Sequence, residues 1–126
     1  MNPRWLLKGN YGATGLHRIL KNHIFKVMRE IRQANNNQVV YAWDVVNEAV
    51  DIDRQTKKWE LRKNIWYPTL PNYIDLAFQY AREADPDALL FYNDYAVTTQ
   101  KNKALRIFEM VKGLLDRGVP IDGVGF

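Results

Sequence analysis

Cysteine is absent from the 126-residue sequence, so the chain has neither a disulfide nor a thiolate metal site. Histidine occurs only at His17 and His23, which face different directions on one predicted helix, so we predict no metal site. No apolar run reaches the roughly 18 residues that a membrane-spanning helix needs. No charged and then apolar leader opens the chain, and we expect no membrane partner.

Charge of one sign is not concentrated anywhere in the sequence, although the net charge is +4 and the pI is near 9.4. Lys57 and Lys58 lie close to Glu60, and Arg82 precedes Glu83. Nucleic-acid binding depends on clustered basic residues, so we expect a solvated surface and no nucleic-acid partner. Aromatic residues make up 13% of the chain and serve either a core or a sugar-binding groove.

Helical and strand patterns alternate along the chain. Short, nearly continuous apolar runs indicate strands that are covered on both faces, and apolar positions spaced by three or four indicate helices. The asparagines at 35–37 and the Asp-Pro-Asp at 85–87 predict helix ends. We predict strands at 39–46, 88–93 and 121–126, helices at 16–34, 71–84 and 103–117, and loops at 2–15 and 51–64.

The buried faces of these helices follow from the same spacing. In the first helix the inward positions include Leu16, Leu20, Met28 and Ile31. Gly118 follows the last helix, where a left-handed cap often ends a helix. The last helix is predicted to bury Ala104, Ile107, Phe108, Val111, Leu114 and Leu115.

The alternation predicts an α/β fold with a parallel sheet and right-handed crossovers. A complete (β/α)8 barrel needs about 250 residues, and 126 residues supply roughly half of that length. About three parallel strands do not close a barrel, and the chain stops on an apolar strand. We therefore expect a part of a barrel, truncated at both ends.

Asn47 and Glu48 directly follow the first predicted strand. In parallel barrels the active site lies at the carboxyl ends of the strands. Glycoside hydrolysis needs one carboxylic acid that protonates the departing oxygen and a second carboxylate across the scissile bond. Glu48 suits the first role if aromatic surroundings such as Trp43 limit its solvation, and the Asn47 amide suits a sugar hydroxyl. A surface glutamate in a strand-to-loop turn explains the spacing equally well.

The run from Tyr41 to Ala49, YAWDVVNEA, resembles the fourth-strand signature of glycoside hydrolase family 10, the endo-1,4-β-xylanases. In that family the Glu of the WDVVNE string is the general acid/base. Other strings resemble the family in the same order, so that the resemblance covers essentially the whole chain. They are found at 22–24, 65–67, 84–88, 91–95 and 118–126.

The resemblance implies that residues 1–126 are a partial catalytic domain of (β/α)8 architecture. It implies that Glu48 is the general acid/base and that Asn47 contacts the sugar. Asp44, Asn93 and Asp94 would be polar supports near the strand ends. The substrate would be xylan or xylo-oligosaccharide, cleaved with retention of configuration and without a metal or an organic cofactor.

The sequence also departs from the family pattern. Met1 stands where a Gln of the third strand is expected, and Ala96 replaces an Asn that is common after the fifth strand. The nucleophilic Glu of the family's seventh strand would lie beyond Phe126. Members of the family are mostly exported, so we expect an extracellular protein.

Two alternatives remain at this stage. One is another barrel glycosidase of the cellulase or mannanase type, and the other is a small parallel α/β binding domain without catalytic activity. We expect the isolated chain to be inactive and to self-associate, because its sheet edges are open and apolar faces such as those of Val45 and Leu90 are exposed.

Overall fold

The computed structural model describes residues 3–36 and 40–126. This part of the chain folds into four helices and five strands, with the alternation that the sequence predicts. The helices are α1 (Arg4–Lys8), α2 (Ala13–Ala34), α3 (Tyr73–Ala84) and α4 (Lys101–Asp116). The strands are β1 (Ala42–Asn47), β2 (Val50–Ile52), β3 (Trp59–Leu61), β4 (Leu89–Asn93) and β5 (Gly123–Gly125).

Three of the strands form a parallel sheet in the order β1-β4-β5. Ala42 lies beside Leu89 at the start of β1 and Asn47 lies beside Asn93 at its end. The prediction of adjacent parallel strands is confirmed, although β1 begins at Ala42 and Val39 lies outside the described residues. Helices separate successive parallel strands because such strands need a long crossover connection.

The two faces of this sheet have different surroundings. Leu90 and Tyr92 are fully buried on the face that α3 covers. The opposite face, called the open face below, carries Asp44, Asn47 and the neighbouring Phe91 and Asn93 of β4. Asp44 is exposed there, whereas Phe91 is partly buried. The expectation that Leu90 is exposed was therefore wrong, because its side chain faces the helix layer.

The buried stripe of α4 differs in part from the predicted one. Ile107 and Leu114 are buried as expected, but Phe108 is 65% exposed and Leu115 is 55% exposed. The stripe begins with Lys103, which is fully buried. The prediction from apolar residues alone did not include this lysine.

Both segments predicted as loops contain regular structure. Pro3 precedes the short helix α1, whose Leu6 is buried, and α2 begins at Ala13 rather than Leu16. The segment 51–64 contains the antiparallel hairpin of β2 and β3. Strands of three residues are too short to show an alternation of apolar and polar residues, so they could not be predicted from the sequence pattern.

Local hydrogen bonds stabilise the hairpin and the end of α4. The Asp53 carboxylate accepts the backbone N–H groups of Gln55 and Thr56, each at 2.9 Å. These bonds, with a contribution from Lys63, lower the pKa of Asp53 to about 2. Gly118 has a φ of 72° and donates its N–H to the carbonyl of the last helical turn, which confirms the predicted cap.

Ile31 was expected to be buried on α2 and is 44% exposed instead. Leu16, Leu20 and Met28 are buried as predicted. Ile31 lies in the last turn of the helix. Within residues 3–36 and 40–126, no helix has the combination of length and apolar character that crossing a bilayer requires.

Candidate active site

Glu48 lies at the carboxyl end of β1, as the sequence predicts. Its φ of 52° places it in the left-handed region, which costs a residue with a side chain about 1 to 3 kcal/mol. The Glu48 N–H donates to the carbonyl oxygen of Asn93 at 2.9 Å, so the turn is attached to the end of β4. The predicted placement of Glu48 and Asn93 at one edge of the sheet is confirmed.

Asn47 and Asn93 lie side by side on the open face. The Asn93 Nδ2 group donates to Asn47 Oδ1 at 2.9 Å. Because the Asn47 carbonyl accepts this bond, its own amide N–H groups are directed away from Asn93. A side-chain donor is thus fixed next to Glu48.

Gly125 of β5 provides the space in which the Asn93 side chain lies. A Cβ atom at Gly125 would be 2.8 Å from Asn93 Oδ1, which is too close for an ordinary contact. The same holds for Gly123 and the Phe91 ring. The two glycines therefore let the side chains of β4 extend across β5 on the open face.

A cavity of about 500 Å³ adjoins Glu48 between β1, α2 and the segment after β3. Its lining includes Arg62, Trp66 and Tyr73, together with Asn47 and Glu48. Burial raises the pKa of the Tyr73 phenol to about 12, so its hydroxyl stays protonated. Trp66 packs against the core and also borders this cavity.

Arg62 is the nearest cation to Glu48 in the described part of the chain. Its Nη2 atom lies 3.8 Å from Glu48 Oε2, and its Nε atom lies 3.5 Å from Asp51 Oδ2. Both separations exceed normal hydrogen-bond lengths. The Glu48 side chain is 41% exposed, so its carboxyl oxygens remain accessible to a ligand.

Trp43 does not shield Glu48, which corrects the expectation from sequence. Its indole Nε1 donates to Asp85 Oδ2 at 3.0 Å. Asp85 follows α3 and precedes β4, so this contact lies near the opposite end of the strands. The described residues thus give Glu48 a cationic and partly solvated environment rather than an aromatic one.

Asp94 is buried and is not a group that a ligand can reach. Its side chain is 0% exposed and accepts a hydrogen bond from Lys103 Nζ at 2.6 Å. The backbone N–H of Tyr95 and the hydroxyl of Tyr92 also donate to it. Asp44 differs, because it lies exposed beside Phe91. Its supporting role stays a prediction.

Sequence reasoning missed Arg62, Tyr92 and Lys103. Lys103 carried a usable signal, since it precedes Ile107 and Leu114 by four and eleven positions and so lies on the apolar stripe of α4. Tyr92 was part of a motif but looked like an ordinary buried aromatic residue. Nothing local distinguishes Arg62 from the other charges of its polar segment.

A metal site is not apparent in the described ranges. No group of three or more His, Cys, Asp or Glu side chains there is arranged to hold an ion. His17 is instead hydrogen-bonded through Nε2 to the Tyr80 hydroxyl, between α2 and α3.

Comparison with known proteins identifies the family of this chain. The sequence model of Glycosyl hydrolase family 10 matches residues 1–126. The chain belongs to this family. Endo-1,4-beta-xylanase A of Thermotoga neapolitana is 52% identical over 128 residues, which cover 98% of the chain and 11% of that protein. Endo-1,4-beta-xylanase B of the same organism is 42% identical over 125 residues, covering 98% of the chain and 33% of that protein.

Solved structures of the family have the same arrangement. Native xylanase 10B from Thermotoga maritima is 38% identical with a TM-score of 0.84, over 98% of the chain and 36% of that protein. Xylanase 10B from Thermotoga petrophila RKU-1, in complex with xylobiose, is 37% identical with a TM-score of 0.83, over 98% and 35%. The chain thus spans about a third of these family 10 proteins, and its parallel strands and helices are part of a (β/α)8 barrel, as predicted.

The role of Gly125 leads to a structural prediction. In the complete barrel that contains this family 10 chain, Gly125→Ala should displace the Asn93 amide, because a Cβ atom would lie 2.8 Å from its Oδ1. A crystal structure of the variant should show the bond from Asn93 to Asn47 broken. Gly12→Ala is the matched control, since a Cβ atom there meets nothing within 4 Å. Retention of the bond at 2.9 Å in the Gly125 variant would contradict this account.

Proposed function

We propose that residues 1–126 are a central segment of the catalytic domain of a retaining endo-1,4-β-xylanase, with Glu48 as the general acid/base. The observation that carries the proposal is the position of Glu48 at the carboxyl edge of the parallel sheet, beside the Asn47 amide that Asn93 orients. In this architecture that edge is where substrates react.

The proposed chemistry has two steps. In the first, Glu48 gives its proton to the glycosidic oxygen while a second carboxylate attacks the anomeric carbon and forms a glycosyl-enzyme. In the second, Glu48 takes a proton from the water that releases the sugar. The same carboxyl group therefore acts first as an acid and then as a base.

The second carboxylate is proposed to lie on a segment outside residues 1–126. Asp94 cannot serve, because its side chain is fully buried and its oxygens accept bonds from Tyr92, Tyr95 and Lys103. Asp51 is paired with Arg62 on the hairpin side of the site. A retaining mechanism needs the two carboxyl groups about 5 to 5.5 Å apart.

Arg62 suits the changing charge of Glu48 in this cycle. Proton donation leaves Glu48 as a carboxylate, and a guanidinium 3.8 Å away stabilises that negative charge. The partly exposed position of both side chains weakens the interaction through solvent. A bound sugar would displace this solvent and strengthen it.

The proposed substrate is xylan or a xylo-oligosaccharide. The relatives described above are named endo-1,4-β-xylanases, and one solved relative holds xylobiose. These names favour xylan over the cellulose or mannan of other barrel glycosidases. Membership of a catalytic family disfavours a binding domain without activity. We also propose that the complete protein acts outside the cell, where polymeric xylan occurs.

Glu48→Gln in the complete enzyme should remove proton donation while preserving the shape of the side chain. General acid catalysis contributes about 10²- to 10⁴-fold, so kcat/KM should fall by that amount on substrates with poor leaving groups. Activated aryl xylobiosides should lose much less, because their leaving groups depart without a proton. Steady-state kinetics on both substrate types provides the measurement.

Asn22→Asp is a suitable control for that comparison, since it changes an exposed amide on α2 to its near-isosteric acid. It should leave both substrates unaffected. An equal loss on both substrates in the Glu48 variant would count against the acid/base assignment.

The isolated 126-residue chain should show no xylanase activity, because it contains the acid/base and lacks a suitable second carboxylate. It should also associate, since β1 and β5 are the edges of the sheet and Phe108 and Leu115 are exposed. Reducing-sugar release from xylan and sedimentation velocity test the two statements. The same chain with Glu48→Ala is the baseline, and activity clearly above it would refute the need for the missing segment.

A further inference from the structure

We propose that the buried Lys103–Asp94 ion pair acts through the Tyr92 hydroxyl to fix the turn that carries Glu48, which makes Tyr92 and Lys103 positioning residues for proton transfer. The inference rests on the proposed function of Glu48. It assigns a role to two side chains that do not touch the open face.

The backbone is hydrogen-bonded on both sides of the Glu48 side chain. The Glu48 N–H donates to the Asn93 carbonyl at 2.9 Å, and the following N–H, that of Ala49, donates to the Tyr92 hydroxyl oxygen at 3.1 Å. Glu48 itself is left-handed, with a φ of 52°. A non-glycine residue keeps this conformation only where its surroundings hold it. Both restraints come from β4.

The Tyr92 hydroxyl is oriented by its two hydrogen-bond partners. Its oxygen accepts the Ala49 N–H, so its single proton is free to be donated, and Asp94 Oδ2 accepts it. Tyr92 is completely buried, and burial, followed by the bond to Asp94, raises the pKa of its phenol. The proton therefore stays on the phenol and the orientation of the hydroxyl is fixed.

Asp94 is held in place by Lys103. Lys103 Nζ donates to Asp94 Oδ1 at 2.6 Å and to the Tyr95 carbonyl at 2.9 Å, and it lies 3.3 Å from the centre of the Tyr95 ring. The Asp94 and Lys103 side chains are both 0% exposed. A lone charge in this place would lack compensation from water, so the two side chains depend on each other for a partner.

These contacts form one continuous chain from α4 to the candidate acid. It runs from the Lys103 ammonium to the Asp94 carboxylate, the Tyr92 hydroxyl and the Ala49 N–H, next to Glu48. An ion pair that only attached α4 to the sheet would not need the Tyr92 hydroxyl. The hydroxyl links the ion pair to the turn. The Tyr92→Phe variant removes this link but keeps the ion pair, so it tests the positioning role separately from the overall stability of the fold.

The experiment compares wild type, Tyr92→Phe and Glu48→Gln in the complete barrel enzyme, with phenyl and 2,4-dinitrophenyl xylobioside as substrates. Misplacement of a reacting group by a fraction of an ångström to 1 Å costs up to about 10²-fold, so we expect Tyr92→Phe to lower kcat/KM on the phenyl substrate by about 10- to 100-fold. The dinitrophenyl substrate, which needs little protonation, should change much less. Hydrogen exchange at the Ala49 amide should accelerate.

Tyr80→Phe is the matched control, because it also removes a hydroxyl hydrogen bond, to His17, but between α2 and α3. In the Tyr80→Phe variant, any change in kcat/KM should be the same for both leaving groups. If Tyr92→Phe does not fold, hydrogen exchange in the wild-type enzyme tests the same restraint. The Ala49 amide should then exchange as slowly as the amides of β4, and exchange at the rate of an exposed amide would overturn the positioning role.

The outcomes distinguish the two proposals. In one outcome, Glu48→Gln loses kcat/KM mainly on the phenyl substrate, whereas Tyr92→Phe loses it equally on both substrates or not at all. This outcome overturns the positioning role and leaves the acid/base assignment intact. Equal losses on both substrates in Glu48→Gln overturn the proposed function itself. A loss of kcat/KM mainly on the phenyl substrate in both variants supports both proposals.

Discussion

The parallel pairing of β1 with β4 is the constraint on which the candidate site depends. It places Asn47 beside Asn93 and brings the Glu48 N–H to the Asn93 carbonyl at 2.9 Å. Without this pairing, the left-handed conformation of Glu48 would have no restraint, and the Asn47 amide would lose its orientation. The pairing in turn relies on α3, which covers Leu90 and Tyr92 on the opposite face.

The two faces of β4 carry different parts of the site. Asn93 extends over the open face and contacts Asn47, whereas Tyr92 lies on the helix side and reaches the backbone just after Glu48. Alternation of side chains along a strand produces this division. A single strand thus orients a group proposed to contact the sugar and restrains the backbone of the proposed acid. Breaking the buried ion pair behind Tyr92 by removing one partner would cost about 3 to 5 kcal/mol.

Much of the architecture could be predicted from sequence, because strands covered on both faces and amphipathic helices have strong periodic signals. The positions of β1, β4, α3 and α4 follow from them to within a few residues. The β2–β3 hairpin could not be found in this way, since each strand has only three residues. Its charged and polar residues resemble those of a loop.

The site was predictable only in part. Glu48 and Asn47 stand directly after a buried strand, and this position is itself the signal. Lys103 was overlooked because a lysine on an apolar stripe is usually taken for a boundary of the stripe. Contacts between segments distant in sequence, such as Arg62 near Glu48 and Tyr92 under Ala49, depend on tertiary packing and have no local pattern.

The most direct measurement of the central claim is a crystal structure of the complete enzyme with a xylo-oligosaccharide bound across the cleavage point. The account predicts one Glu48 carboxyl oxygen within hydrogen-bonding reach of the glycosidic oxygen, about 2.6 to 3.2 Å. It also predicts the Asn47 Nδ2 group at a hydroxyl of the adjacent sugar, with the Glu48 N–H still bound to Asn93. A sugar chain bound away from the carboxyl edge of β1, or a Glu48 side chain turned away from the glycosidic oxygen toward Arg62, would contradict it.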